Sequence, residues 1–233
     1  CCHARESSYL DKGCPGTDFK YHDFRDSDIR NFFKAVEEMA NQDYFGVRLG
    51  KYIEVPISIS NSKIIDYSTK FRTDFLDIFL LAKCKFLIGS NTGITDVAYL
   101  FRKPIVKTNM TQFFGEIPLA GEKDLFIPKK YWLKEERRNL SFREIFDSPV
   151  SRLLRSEQLE QAGIELIENT EEEMLDITVE MDKRLKGTWE STEEDEALQE
   201  RFWSIIMESD MFVDPPVSRI GATFIRQNQY LLE

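Results

Sequence analysis

The stretch from residue 85 to residue 98 predicts a short buried strand, a loop of small polar residues and the start of a helix. Its apolar run, Phe86-Leu87-Ile88, is too short to form a helix of its own, and Gly89 ends it. The loop combines good helix caps with a glycine that lets a ligand approach the backbone: Ser90, Asn91, Thr92 and Gly93. Such a turn aims free N–H groups and the positive end of a helix dipole at one point, where phosphate groups often bind. The pattern fits a phosphate-binding turn and also a well-capped turn without a ligand.

Short apolar runs alternate with helical stretches along the first half of the chain. Strands are predicted at 1–6, 44–49, 64–67, 85–89 and from 105 onward, and helices at 29–40, 74–82 and 94–101. Strands that alternate with helices form a parallel sheet with helices on both faces, so we expect an α/β, Rossmann-like fold. We expect Asp74 to cap its helix. The segments 7–23 and 111–136 are expected to be largely loop, because glycine and proline recur in them.

The second half of the chain is predicted to be mainly helical. We expect a short helix capped by Ser141, a strand at 163–168, helices at 171–185, 192–208 and 220–232, and a break at Pro215-Pro216. Residues 1–186 are expected to form the Rossmann-like domain. Residues 187–233 are expected to form a C-terminal helical extension that packs back on this domain.

Four polar groups follow directly on predicted strands, at the points where the strands end. They are Arg5, Arg48, Asp66 and the loop that begins at Ser90. Ligands of parallel sheets bind at the carboxyl ends of the strands, and arginines with helix N-termini can neutralise a diphosphate without a metal ion. Each residue also has a plain structural interpretation: a surface salt bridge for Arg5, an edge charge for Arg48 and a turn cap for Asp66.

The net charge of −10 is carried by the second half of the chain. Residues 1–110 hold 16 Lys and Arg against 14 Asp and Glu, whereas residues 111–233 hold 15 against 27. This acidic half argues against nucleic-acid binding. No apolar run is long enough to predict a membrane span. The four cysteines lack the spacing of a zinc site or a disulfide framework, so we expect a reducing, cytoplasmic setting and no metal: Cys1, Cys2, Cys14 and Cys84.

Several familiar catalytic motifs are missing from the sequence. The chain has no Gly-x-Ser-x-Gly elbow, which argues against a serine hydrolase, and the loop after Gly89 lacks the lysine of a P-loop. It also has no Gly-x-Gly-x-x-Gly motif, which weakens the case for a nicotinamide-dependent enzyme. Because the chain begins at Cys1 rather than at a methionine, we expect it to be a fragment of a longer protein.

Several short motifs, in order, resemble a family of bacterial proteins inferred to be glycosyltransferases. The motifs lie at 2–10, 24–29, 46–50, 65–68, 77–80, 86–93, 169–173, 180–181 and 184–185. The resemblance implies the GT-B architecture, in which two Rossmann-like domains flank a cleft and the C-terminal one holds the nucleotide-sugar. This chain is similar to that C-terminal domain, which is one half of a GT-B fold. A more distant similarity is to fucosyltransferases, whose His-x-Arg-Arg motif contacts the donor diphosphate. Here His3-Ala4-Arg5-Glu6 keeps only the first arginine, so the phosphate role carries over to Arg5 alone.

The resemblance implies metal-independent sugar transfer, with a nucleotide-sugar as donor, a glycan or other molecule as acceptor, and no cofactor. The catalytic base is expected in an N-terminal domain that this sequence does not contain, so the catalytic residues are unknown. The expected donor-binding residues are Arg5, Arg48, Asp66, Ser90, Asn91, Thr92 and Gly93. Two alternatives stay open, a sugar-nucleotide epimerase of the same two-domain shape and a non-catalytic α/β interaction module.

Overall fold

The computed structural model describes residues 1–53, 56–57, 60–117, 121–209 and 217–233, and the predicted break at Pro215-Pro216 lies outside them. The strands are β1 (Cys2–His3), β2 (Gly46–Val47), β3 (Ile64–Ile65), β4 (Leu87–Gly89), β5 (Ile105–Met110), β6 (Leu125–Pro128), β7 (Lys130–Leu133), β8 (Arg138–Asn139), β9 (Ile164–Ile167) and β10 (Arg219–Ile220). The helices are α1 (Ser8–Gly13), α2 (Phe33–Asn41), α3 (Tyr67–Lys70), α4 (Asp74–Lys83), α5 (Gly93–Leu100), α6 (Phe113–Glu116), α7 (Phe142–Phe146), α8 (Ser156–Gln161), α9 (Glu171–Lys186), α10 (Glu193–Glu208) and α11 (Ala222–Gln227). Short 3₁₀ helices span Lys20–Arg25, Ile29–Phe32, Pro149–Arg152 and Gln229–Leu232.

A parallel sheet organises the chain. Five strands pair in the order β1-β4-β5-β6-β10, and β2 pairs with β3. The two groups join beside β1, because Cys2 bridges Arg48 in parallel and the N–H of Leu49 donates to the carbonyl of Cys2 at 2.9 Å. The first six strands therefore follow the order β3-β2-β1-β4-β5-β6, which is that of a doubly wound dinucleotide-binding fold.

Helices cover both faces of this sheet, and the alternation of side chains along the strands sorts the core into two parts. Leu87 and Ile105 pack with residues of α4 and α5 on one face. Phe86, Ile88 and Val106 pack on the other face, in the larger core that α2, α9 and α10 complete. Neighbouring residues of one strand thus enter opposite cores, as the two-residue period of a strand requires.

The predicted α/β fold class is confirmed: a Rossmann-like parallel sheet carries helices on both faces, and helices dominate the C-terminal part. Three local predictions are wrong. Segment 7–23 contains α1, and segment 111–136 contains α6, β6 and β7. The apolar residues 125–127 of β6 are buried. The helix predicted to start at Asp74 is capped one residue earlier, where the hydroxyl of Thr73 accepts the N–H of Leu76 at 3.1 Å.

The C-terminal segment contributes to the sheet as well as to the helical layer. In β10, Arg219 pairs in parallel register with Leu125 of β6, so residues 187–233 supply an edge strand. Before this segment, α9 begins with a capping box between Thr170 and Glu173 and ends at Gly187, whose φ of 70° suits a glycine. A separate antiparallel sheet has the order β8-β7-β9. Among the described residues, no helix combines the length and hydropathy that crossing a bilayer requires.

Candidate functional site

The strand order reverses between β1 and β4, which makes the gap beyond their carboxyl ends the topological switch point of the sheet. The chain leaves β1 toward β2 on one side and leaves β4 toward β5 on the other. The two strands approach closely, since a Cβ on Gly89 would lie 3.3 Å from the carbonyl oxygen of His3. Ligands of open α/β sheets bind at such a point. Two of the predicted donor-binding groups, Arg5 and the loop from Ser90, lie here.

Ser90 joins the two strand ends. Its side chain is fully buried, and its hydroxyl oxygen accepts the backbone N–H of Arg5 at 3.2 Å. The carbonyl of Ser90 accepts the hydroxyl of Thr95 at 2.9 Å, which fixes the loop against the first turn of α5. Both bonds are shielded from water, so the loop and the residue after β1 hold one relative position.

The N-terminus of α5 is open toward this point. Thr92 is the N-cap residue, but its side chain forms no capping bond, and its buried hydroxyl oxygen has no partner among the described residues. Gly93 is exposed, and a Cβ placed on it would meet nothing within 4 Å. The side-chain amide of Asn91 donates to Gln112 at 2.8 Å and so turns toward the end of β5. The N–H of Thr95 donates to the carbonyl of Thr92 at 2.9 Å, so at the start of α5 the N–H groups of Gly93 and Ile94 remain for a ligand, and no neighbouring atom of the described residues blocks the approach at Gly93.

Arg5 is buried at the same edge and is partly committed to protein partners. Its Nη1 pairs with the carboxylate of Asp26 and also donates to the carbonyl of His22 at 3.2 Å. Both contacts use Nη1, so within the described ranges Nε and Nη2 are left for a ligand. Burial, and then the nearby charge of Arg25, lower the pKa of Arg5 to about 10. The guanidinium still carries its full charge at neutral pH.

Lys129, which the sequence analysis missed, adds a second cation to this edge. It follows β6, and its ammonium group donates to the carbonyl of Asp26 at 2.6 Å and lies 4.0 Å from the carboxylate of Glu168. Burial is the main cause that lowers the pKa of Lys129 to about 8; Glu168 opposes this change, and the charge of Arg5 adds to it. The signal in the sequence is the apolar run at 125–127 before Lys129, in a segment whose glycines and prolines predict a loop.

Arg48 and Asp66 lie together, but they face each other and Glu6. Arg48 is 1% exposed, its Nη2 lies 2.6 Å from Oε1 of Glu6, and its Nη1 lies 4.0 Å from Oδ1 of Asp66. The second carboxylate oxygen of Asp66 accepts the N–H of Ile57 at 3.0 Å. The charge of Arg48 is thus compensated inside the protein. Glu6, the residue that departs from the His-x-Arg-Arg motif, supplies its main counter-charge.

Two cavities lie on opposite edges of the sheet. One of about 210 Å³ opens at the carboxyl edge between the turn after Arg5 and residues 26–30, with Glu168 on its wall. The buried hydroxyl of Ser27, which has no partner in the described part of the chain, belongs to this wall. The other, of about 190 Å³, is lined mainly by apolar residues around Cys2 at the amino edge. Of these two, only the first adjoins the charged groups described above; a further cavity of about 390 Å³ is lined by Asp26, Lys129 and Glu168.

The carboxyl edge thus joins an open helix N-terminus, the cations Arg5 and Lys129, and a cavity, a combination that suits a small anionic ligand. In the described ranges, no three His, Cys, Asp or Glu side chains are grouped so that they could hold a metal ion. None of the known protein families, curated proteins or solved structures with which the chain was compared matches it.

Proposed function

We propose that this chain is the donor domain of a glycosyltransferase, and that it binds a nucleotide-diphosphate sugar at the switch point between β1 and β4. One observation carries this proposal. The uncapped N-terminus of α5 at Thr92 and Gly93 follows Ser90, whose hydroxyl accepts the backbone N–H of Arg5, so the start of α5 and the residue after β1 lie at the same strand-end edge. A helix N-terminus combined with an arginine is a common arrangement for binding a diphosphate.

In this proposal the diphosphate lies on the N–H groups of α5, and Arg5 donates to it through Nε and Nη2. Lys129 adds positive potential at the same edge, because its ammonium group and Arg5 both contact Asp26. Arg48 acts from inside the protein: its pair with Glu6 fixes the turn that follows Arg5. Asp66, at the end of β3, lies on the side of the sheet where we expect the ribose or the base.

The proposed chemistry needs no metal ion from this chain. The acceptor oxygen attacks the anomeric carbon, and the bond from that carbon to the diphosphate oxygen breaks. The electron pair of this bond passes to the diphosphate, and the N–H groups of α5 with Arg5 stabilise the charge that develops there. The acceptor proton goes to a base in the partner domain that the family resemblance implies.

Calorimetric titration with uridine, guanosine and adenosine diphosphate sugars tests the proposal. We expect one of them to bind, and we expect Arg5→Gln to weaken that binding by about tenfold or more through loss of charge-assisted hydrogen bonds. Arg143→Gln is the matched control, because Arg143 is half-exposed and pairs with Glu208 at 2.8 Å on α10, away from the switch point. Circular dichroism and urea unfolding establish that both variants fold.

The two alternatives predict different results. A sugar-nucleotide epimerase would convert the bound donor to a new sugar-nucleotide in the absence of any acceptor. An interaction module would bind none of the three donors, and Arg5→Gln would then behave like Arg143→Gln. Either result contradicts the proposed transferase.

A further inference from the structure

Exposed apolar side chains lie on the outer surface of α4, in the segment before it and at the C-terminal end of α5. This group is called the α4–α5 patch here and consists of Phe71, Phe75, Ile78, Phe79, Leu100 and Phe101. Phe75 is 73% exposed and Leu100 is 80% exposed, and the rings of Phe75 and Phe79 stack with centroids 5.9 Å apart. Large apolar side chains grouped in this way mark a binding surface more often than scattered single ones do.

α4 is apolar on both of its faces. Leu81 is buried, and Leu76 and Leu80 pack beside it in the core that lies against the sheet. Phe75 and Phe79, four residues apart, form one stripe on the opposite, exposed face. A helix that is apolar all round is normally covered on both sides. Phe75 and Phe79 are exposed, so no part of the chain that the structure describes covers this outer stripe.

Basic side chains border the patch. Residues 67–104 hold six Lys and Arg against three Asp and Glu, in contrast with the acidic second half of the chain. Of the three acids, Asp74 and Asp77 are bound by Arg72 at 2.6 and 2.7 Å. The other basic residues of this segment are Lys70, Lys83, Lys85, Arg102 and Lys103. Lys83 follows Phe79 by four residues and so lies on the same side of α4.

We propose that the α4–α5 patch binds the surface of a membrane that contains anionic lipids. The phenylalanines would enter the boundary between head groups and acyl chains, and the lysines would contact the phosphates of the head groups. A second copy of this chain fits the patch less well. A two-fold contact through it would bring the basic borders of both copies together, and like charges repel at an interface.

Membrane binding through the α4–α5 patch would determine where the candidate site lies relative to the lipid. α4 and α5 each connect the carboxyl end of one strand to the amino end of the next, so both cross one face of the sheet from edge to edge. A membrane lying against that face leaves the carboxyl edge open at the side. Thr92 and Gly93 would then lie near the lipid surface and stay accessible to a ligand from water.

Co-sedimentation of the whole chain with vesicles tests the proposal. One set of vesicles is phosphatidylcholine, and the other contains about one third phosphatidylglycerol. We expect binding to the anionic vesicles at about 0.1 M NaCl and its loss at about 0.5 M NaCl, where charges are screened. Phe75→Ser with Phe79→Ser should lower the partition coefficient by about tenfold or more, since both side chains would enter the lipid.

Two further variants complete the experiment. Lys83→Gln with Lys85→Gln leaves the apolar stripe intact and should weaken binding to anionic vesicles by about fivefold for each lysine removed. Leu154→Ser is the matched control, because Leu154 is 50% exposed in the acidic half and should leave binding unchanged. Equal binding of all variants, or no binding of the wild type, overturns the proposal. So does a wild-type dimer that the Phe75 and Phe79 changes convert to monomer, measured by light scattering.

Discussion

Arg48 and Glu6 form an ion pair in which Nη2 of the arginine lies 2.6 Å from Oε1 of the glutamate. The side chain of Arg48 is 1% exposed and that of Glu6 is 14% exposed, so water screens the pair weakly. The pair joins the turn after β1 to the end of β2, which are 42 residues apart in sequence.

Removal of one partner of this pair should destabilise the fold strongly. We expect Arg48→Met to lower the free energy of unfolding by about 3–5 kcal/mol, because the carboxylates of Glu6 and Asp66 lose their counter-charge. Urea unfolding measures the loss. Glu6→Gln combined with Arg48→Met should recover part of it, since one buried charge fewer is left uncompensated.

The exposed pair of Arg143 and Glu208 is the control for this prediction. Their side chains are 47% and 57% exposed, so Arg143→Met should cost about 1 kcal/mol or less. Equal losses in Arg48→Met and Arg143→Met would show that the Arg48 pair is screened like a surface pair.

Ser90→Ala tests whether the bond from Arg5 to Ser90 holds the switch point together. The variant leaves the buried N–H of Arg5 without its acceptor, which should lower the free energy of unfolding by about 1–3 kcal/mol. Ser204→Ala, on the exposed side of α10, removes a hydroxyl that donates to the carbonyl of Arg201 at 2.8 Å, and it should change stability by about 0.5 kcal/mol or less. Thermal or urea unfolding of both variants decides between a structural bond and a dispensable one.

His3 should make stability depend on pH below neutrality. Burial is the main cause that lowers its pKa from 6.5 to about 4, and the charges of Arg48 and Arg5 add to this effect. Between these values the unfolded chain binds a proton that the folded chain excludes, so stability is lost as the pH falls from 6.5 to about 4. The loss amounts to about 1.4 kcal/mol for each pH unit within that window.

His3→Gln removes this titration. The difference in unfolding free energy between wild type and His3→Gln should therefore change between pH 7 and pH 5, and urea unfolding at several pH values measures it. His22→Gln is the comparison: burial also lowers the pKa of His22, but only the pKa of His3 is lowered far, to about 4, so His22→Gln should change the pH dependence less. A His3→Gln curve parallel to that of wild type would contradict the prediction.

The sequence could indicate where strands end, because apolar runs such as 86–88 are local and the polar residues after them are visible. It could therefore predict that Arg5 and Ser90 share one edge of the sheet. It could not pair Arg48 with Glu6, since their contact depends on a bridge between β1 and β2 that only the folded sheet provides. Glu6, which stands where the His-x-Arg-Arg motif has its second arginine, is the counter-charge of Arg48 in the structure.

Lys129 escaped prediction for a different reason. Pro128 and the lysines after it resemble a loop, whereas Pro128 is the last residue of β6, a position at a strand end where proline is tolerated. Because β6 was not predicted, Lys129 was not recognised as a residue at the end of a strand, where ligands of parallel sheets bind. The same error hid the place of Lys129 beside Glu168 on the wall of the cavity of about 390 Å³.

Gly93→Ala separates a ligand-binding role of the α5 N-terminus from a structural one. Because nothing lies within 4 Å of the added methyl group, the fold should accept it and gain about 0.4–1 kcal/mol through a less flexible unfolded chain. The same methyl group projects into the space where the diphosphate would lie on the helix N-terminus. Donor binding, measured by calorimetry, should therefore fall by about tenfold or more while stability rises.

Gly121→Ala is the matched control, since its methyl group would meet Asp124 at an ordinary 3.6 Å near the opposite edge of the sheet and should leave binding unchanged. Unchanged binding in Gly93→Ala would place the diphosphate elsewhere, whereas a loss of both stability and binding would show that Gly93 serves the fold.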